Sequence, residues 1–271
     1  MPQLSADLDR LLDRLRRDPA VLVTVARTRG SVPREVGAWM AVFADAVLGT
    51  IGGGHLEWDA ERRARELLSS GEGQPLEHTV VLGPSLGQCC GGAVILRMEQ
   101  VDQNHLADLQ SRLAPSLWPV ALFGGGHVGR AIVQALRPLP FAVTWIDSRD
   151  EVFPGDLSSS VQTEHSDPVQ SAVRELVPGS QVLIMSFSHA EDLEVLAACL
   201  QRLRERNDLP FVGLIGSRTK WATFSKRLRQ RGFDDAALAA ITCPIGLPGI
   251  EGKQPAVIAA SVAAQLLMGK K

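Results

Sequence analysis

The sequence predicts an α/β protein, with a C-terminal Rossmann-like, doubly wound parallel sheet preceded by a smaller α+β domain. Three observations carry this prediction. In the stretch WPVALFGGGHVGRAIVQAL, residues 118–136, an apolar run at 120–123 leads into Gly124-x-Gly126-x-x-Gly129 and a helical pattern of Val128, Ile132 and Leu136. A second apolar run, 141–146 in FAVTWIDSR, then ends on Asp147. That order is what a dinucleotide-binding βαβ unit requires. Finally, the unit begins in mid-chain, and 271 residues are compatible with two domains of ordinary size.

Composition narrows the classes. A hydrophobic content of 45% and a formal net charge of −2 are those of a soluble globular protein, without the excess of positive charge that nucleic-acid binding uses. No unbroken apolar stretch reaches the ~20 residues needed to span a bilayer, so no membrane role is expected. The opening MPQLSADLDRLLDRLRRD reads as an amphipathic helix with Leu4, Leu8, Leu11, Leu12 and Leu15 on one face, without the continuous apolar core of a signal peptide. Four cysteines, two of them adjacent, do not make a disulfide framework, and a reducing cytoplasm is expected.

In the first domain, AVLVTVAR (20–27) is a β-branched strand, and 40–43 with 46–51 suggests a hairpin. A helix follows from about 56 to 68, with Glu61, Arg62, Arg65 and Glu66 outward. Strand-like runs recur at 78–82 and 93–98, and 102–113 reads as a helix leading to the boundary at Ala114-Pro115-Ser116. The expected domains are therefore 1–115 and 116–271. Three loops carry unusual chemistry. Thr28-Arg29-Gly30-Ser31-Val32-Pro33-Arg34 is either an anion grip, through the bidentate fork of arginine, or a solvated turn. Gly52, Gly53 and Gly54 expose backbone N–H groups at a helix start, a nest for an anion, with His55 beside it as a ligand contact and Glu57 in the first turn, where its charge suits the dipole. The third loop, Gly83 to Gly92, holds Cys89 and Cys90, which lack the spacing of a tetrahedral zinc site. Bracketed by glycines, these thiols are read as functional rather than as two small buried hydrophobes; activation would need a positive neighbour such as Arg27, Arg29 or His55.

In the second domain, Gly124 permits the tight strand-to-helix turn, Gly126 lets a pyrophosphate approach the backbone, and Gly129 lets the helix lie close on the sheet. With His127 they form a second GGGH, read as an anion nest independent of the first. Asp147 is expected to accept hydrogen bonds from a ribose 2′-OH, favouring NAD over NADP. Strands are expected at 181–187 and 211–215, each followed by a helix, with His189, Ser217 and Arg218 brought to the same crevice. Ser217 and Arg218 make a phosphate site, and His189 is an acid–base group, a helix-capping residue or a residue that orients the ligand. Cys199 reads as core, Cys243-Pro244 opens a Gly- and Pro-rich loop, and 256–267 is a closing helix. The chain contains no tyrosine, which excludes a Tyr-x-x-x-Lys proton relay, and it carries no Walker phosphate loop, H-E-x-x-H helix or G-x-S-x-G elbow.

Taken together, GTIGGGHLE, GQCCGGAV, LFGGGHVGRA, WIDSR, SFSHAEDLEVL and GLIGSRTKWATFSKRL resemble the XdhC/CoxI family of xanthine dehydrogenase accessory proteins, from about Thr24 to Gln265. One departure is Pro248, where the family usually has an acidic residue. The resemblance implies a chaperone of the molybdenum cofactor (molybdopterin). Such a protein binds the cofactor as cargo, promotes its sulfuration with a cysteine desulfurase, and delivers it to apo xanthine dehydrogenase. Cofactor-biosynthesis proteins and a second copy of the chain are further partners that this reading admits. Cys90 matches the cysteine of the family's CGG core and is expected near the cofactor's molybdenum; no protein metal site is expected. The resemblance points to maturation without independent turnover. The alternative is an NAD-dependent oxidoreductase acting on a small molecule, and the residues leave open whether the Rossmann pocket holds NAD or the pterin.

Overall fold

The computed structural model describes residues 3–71, 74–82, 91–114, 116–157 and 160–269, with side chains from residue 7 onward. The chain divides into two compact units, Gln3–Pro115 and Ser116–Lys271.

The first unit is built on an antiparallel sheet of β1 (Ala20–Arg29), β2 (Trp39–Val42), β3 (Val47–Gly49), β4 (Leu76–Val81) and β5 (Ala93–Val101), in the order β3-β2-β1-β5-β4. The central strand β1 is apolar at successive positions because helices cover both faces. Val21, Val23 and Val25 pack with Leu56, Ala60, Ala64 and Leu67 of α2 (Gly54–Ser70). Ala20 and Leu22, one residue out of phase, pack with Leu8, Leu11 and Leu15 of α1 (Gln3–Leu15) and Leu109 of α3 (Leu106–Leu113). The expected hairpin is β2 and β3, paired from Met40–Gly49 to Val42–Val47.

The second unit is a parallel sheet of β6 (Trp118–Phe123), β7 (Phe141–Asp147), β8 (Val161–His165), β9 (Gln181–Ile184), β10 (Phe211–Leu214) and β11 (Ile241–Thr242), in the order β11-β10-β9-β6-β7-β8. Ala121 and Phe123 of β6 face α5 (His189–Arg206) and α6 (Arg218–Gln230), while Val120 and Leu122 face α4 (His127–Leu136) and α8 (Pro255–Met268). A short α7 (Asp235–Leu238) precedes β11. The strand order turns back between β6 and β9, the place where open α/β sheets bind ligands.

Two sequence expectations change. The strand expected over 181–187 ends at Ile184, because the Ser186 N–H donates to the Asp192 carboxylate at 2.7 Å and draws the chain into α5. The edge strands β8 and β11 have no strong apolar signal: β8 is VQTEH, mostly open to solvent, and β11 is two residues.

Backbone contact dictates two glycines of the fingerprint. Gly124 has φ of 122°, and a Cβ there would lie 2.0 Å from the Met185 carbonyl oxygen of the chain leaving β9. A Cβ on Gly129 would lie 2.1 Å from the Gly124 carbonyl oxygen, so α4 rests directly on the loop. Gly129→Ala should therefore destabilise the protein by about 1–3 kcal/mol, the usual cost of overpacking. An unchanged midpoint in denaturant unfolding would contradict this packing.

Candidate functional site

The carboxyl ends of β6, β7, β9 and β10 carry most of the residues expected to meet a ligand. Gly125 is buried, and a Cβ there would lie 2.6 Å from the Val152 side chain. Gly126 is different. It is exposed, its φ of −73° suits any residue, and among the described residues no atom beyond its chain neighbours lies within 4 Å of where its Cβ would be. Its missing side chain therefore leaves open space at the N-terminus of α4, where backbone N–H groups and the helix dipole favour an anion. His127, the first residue of α4, is exposed beside it.

Asp147 closes the end of β7 and is only 2% exposed. Its Oδ1 accepts from the Arg149 backbone N–H at 3.0 Å and from Arg149 Nε at 2.8 Å. Its Oδ2 accepts from the Gly125 N–H at 2.6 Å and from Arg149 Nη2 at 2.9 Å. A carboxylate offers about four acceptor positions, and all are filled from within the protein. Burial alone would push this carboxyl up, but the Arg149 side chain, the Gly125 and Arg149 backbone N–H groups and the Arg149 charge together hold it below the usual carboxylate range. The ribose acceptor expected from the sequence is thus already engaged.

Arg149, which sequence reasoning passed over, also lies 4.4 Å from the ring centroid of Phe187, a side chain 66% exposed. Nearby, the Ser148 hydroxyl donates to Glu191 Oε1 at 2.8 Å, and the Phe187 N–H donates to Glu191 Oε2 at 3.1 Å. These contacts join the end of β7 to the start of α5. The available signal was an arginine two residues after the acid that ends the second strand of the fingerprint.

Of the other expected residues, Ser217 and His189 have plain structural partners. Ser217 caps α6, its Oγ accepting from the Lys220 N–H at 3.2 Å, and Arg218 is exposed in the first turn. Ser188, not His189, caps α5, and the exposed His189 ring meets the Phe224 ring edge-on at 6.1 Å. Lys220 Nζ donates to Asp192 Oδ2 at 2.7 Å and to the Ile215 carbonyl at 2.9 Å, a pair the sequence did not reveal. Cys199 is core, its thiol pushed up by burial to about 12. Cys243 is half-buried, and its thiol is raised for the same reason.

In the first unit the 28–34 loop meets both the GGGH turn and Gly92. A Cβ on Gly52 would lie 2.7 Å from Pro33 Cβ and 3.4 Å from Arg34 Cγ, so the 28–34 loop packs on the GGGH turn. The same loop meets Gly92, where a Cβ would lie 2.4 Å from the Ser31 carbonyl oxygen. Cys89 and Cys90 lie outside the described residues. At the GGGH turn of the first unit the chain itself takes the N–H groups of Ile51, Gly52 and Gly53. Glu57, one turn into α2, folds back so that Oε2 accepts from the N–H groups of Ile51 at 2.9 Å and Gly53 at 3.1 Å and from the Thr50 hydroxyl, while the Gly52 N–H donates to Thr50 Oγ1. His55 is exposed, its ring centroid 5.4 Å from that of Trp58. Arg27, considered as a neighbour for the thiols, is paired with Glu77 at 2.8 Å.

The lowered Asp147 carboxyl has a definite pH signature. Its contribution to stability is complete above the usual carboxylate pKa and is lost as pH falls through the lowered folded value. Asp147→Asn should cost about 1–3 kcal/mol at pH 7, and the gap to wild type should hold to about pH 4 and close below it. Unfolding curves across pH check this; a gap already closed at pH 6 would contradict it.

Residues 120–266 match the XdhC Rossmann domain, and residues 14–80 match the XdhC and CoxI family. Over 256 residues the chain is 27% identical to an uncharacterized protein, YqeB, of Escherichia coli strain K12. That likeness covers 93% of this chain but 44% of YqeB, so the chain spans less than half the length of this relative. A crystal structure named as a xanthine dehydrogenase from Bacillus halodurans is similar in fold, with a TM-score of 0.77 and 20% identity over 99% of this chain and 96% of that one. With the Rossmann-domain match covering more than half of its length, the chain belongs to the XdhC and CoxI family.

Proposed function

We propose that this protein is a maturation factor for a molybdenum hydroxylase of the xanthine dehydrogenase type. It takes the molybdenum cofactor as cargo, holds it during sulfuration with a cysteine desulfurase, and releases it to the apo-enzyme. Family membership gives the reading its direction, and Gly126 is the observation that carries it. Among the described residues nothing beyond its chain neighbours occupies the space its side chain would take, and that space lies at the N-terminus of α4. The terminal phosphate of a pterin cofactor suits such a cradle. Soft thiolates suit a metal–sulfur group, and Cys89 and Cys90 of the first unit are the candidates for a separate contact with the cargo. The 28–34 loop, packed on Gly92, brings arginine-bearing backbone next to the segment that follows those cysteines.

On this reading the protein acts in the cytoplasm through transient contacts with the desulfurase, the cofactor-biosynthesis proteins and the client, and has no steady turnover of its own. A carrier must release its cargo, and a site made of backbone N–H groups and open space binds without breaking bonds.

Protein purified anaerobically from a host that makes the cofactor should carry near-stoichiometric molybdenum and pterin, measured by metal analysis and by fluorescence of the oxidised pterin. Gly126→Val should lower that content at least about tenfold, the equivalent of one phosphate contact set, without shifting the melting temperature. Content near zero in the wild type, or sustained NAD reduction with a small hydroxy or amino compound, would overturn the reading.

The thiols give a separate test. Cys89→Ala/Cys90→Ala should leave the fold intact and reduce activation of apo xanthine dehydrogenase by supplied cofactor. Full activation by the double variant would make the pair structural.

A further inference from the structure

We infer that the crevice of the second unit rejects dinucleotides bearing a free ribose diol, accepts a compact phosphate ester, and owes this choice to Arg149. The inference does not depend on the molybdenum cofactor being the cargo.

Two independent observations carry it. A dinucleotide-binding unit uses the acid at the end of its second strand to accept hydrogen bonds from the ribose. Here that acid is Asp147, and its two oxygens already accept four hydrogen bonds, three of them from Arg149. A ribose hydroxyl would gain an acceptor only by displacing a bidentate guanidinium from a carboxylate that is 2% exposed. Such charge-assisted pairs are the stronger hydrogen bonds of a protein.

The second observation concerns the route. β7 and β9 flank β6 in the sheet, and a dinucleotide crosses the carboxyl ends of these strands. Arg149, after β7, lies over the ring of Phe187, after β9, and Ser148 is hydrogen-bonded to Glu191 of α5. The same Glu191 accepts from the Phe187 N–H. These contacts link the chain that leaves β7 to the chain that leaves β9, the two strands on either side of β6. What stays open is Gly126. Of the five N–H donors of Arg149, Nε–H and one on Nη2 serve Asp147, and the side chain is 39% exposed. Its remaining edge is suited to a phosphate oxygen.

The test is calorimetry of the full chain with NAD+ and, separately, thermal melts in millimolar inorganic phosphate. Wild type should give no saturable heat with NAD+, and phosphate should raise its melting temperature. Arg149→Ala frees Asp147 and should bind NAD+ about tenfold to a hundredfold more tightly than wild type, the gain expected for a hydrogen bond to a charged acceptor, while losing the phosphate effect. Arg149→Lys keeps the counter-charge but not the fork, and should gain NAD+ binding to a smaller extent, which decides the matter if the alanine variant does not fold. Phe187→Ala, which leaves the Asp147 pair in place, should not create the same affinity. Micromolar NAD+ binding by wild type, or folded Arg149 variants with no gain, would overturn the exclusion. A phosphate effect that is absent in wild type, or that survives in Arg149→Ala, would overturn the assignment of ligand class.

Discussion

The Asp147 carboxylate ties together pieces of backbone that the sheet alone would leave separate. Through Gly125 it holds the turn between β6 and α4, and through Arg149 it holds the chain that leaves β7. Trp145 adds a second tie, its indole N–H donating to the Gly124 carbonyl at 3.0 Å. Gly124 in turn lies against Met185, and Gly129 against Gly124. The position of α4, the opening at Gly126 and the reach of Arg149 to Phe187 all follow from this one buried charge being satisfied where it stands. An unpaired carboxylate at that depth would cost several kcal/mol, so its four hydrogen bonds, from Gly125 and Arg149, help to hold the local fold.

The two GGGH turns solve the same problem in the same way. Each exposes backbone N–H groups at the start of a helix, and in each a carboxylate of the chain itself answers them: Glu57 in the first unit, Asp147 in the second. The outcomes differ in what remains. In the first turn Glu57 and Thr50 take the N–H groups of Ile51, Gly52 and Gly53. In the second, Asp147 takes Gly125 and leaves Gly126 facing open space.

Much of this was legible in the sequence, and the parts that were not have physical causes. The continuous apolar runs, the glycine spacing and the acid at the end of the second strand marked the Rossmann unit, because each reflects a local steric or burial demand. The saturation of Asp147 was not legible, since it depends on where the Arg149 side chain turns, and spacing alone makes a free acid and a paired one look alike. Glu57 shows the same limit: its position in the first turn of α2 fits a dipole role, but its reach back to Ile51 is a matter of tertiary geometry. β9 ended early for a third reason, because a buried carboxylate at Asp192 claimed the Ser186 N–H. Apolar character continues through Phe187 in the sequence, yet that side chain is exposed and stacked under a guanidinium.

Arg149, with the Gly125 N–H and not a ligand, occupies the acceptor positions of Asp147. The most direct measurement is the Nε–H resonance of Arg149 in a proton–nitrogen NMR spectrum of the full chain at neutral pH. A slowly exchanging signal is expected, one that disappears in Asp147→Asn and does not move when NADH is added in excess. A signal that exchanges freely in the wild type, or that shifts with NADH as a ribose takes its place, would contradict it.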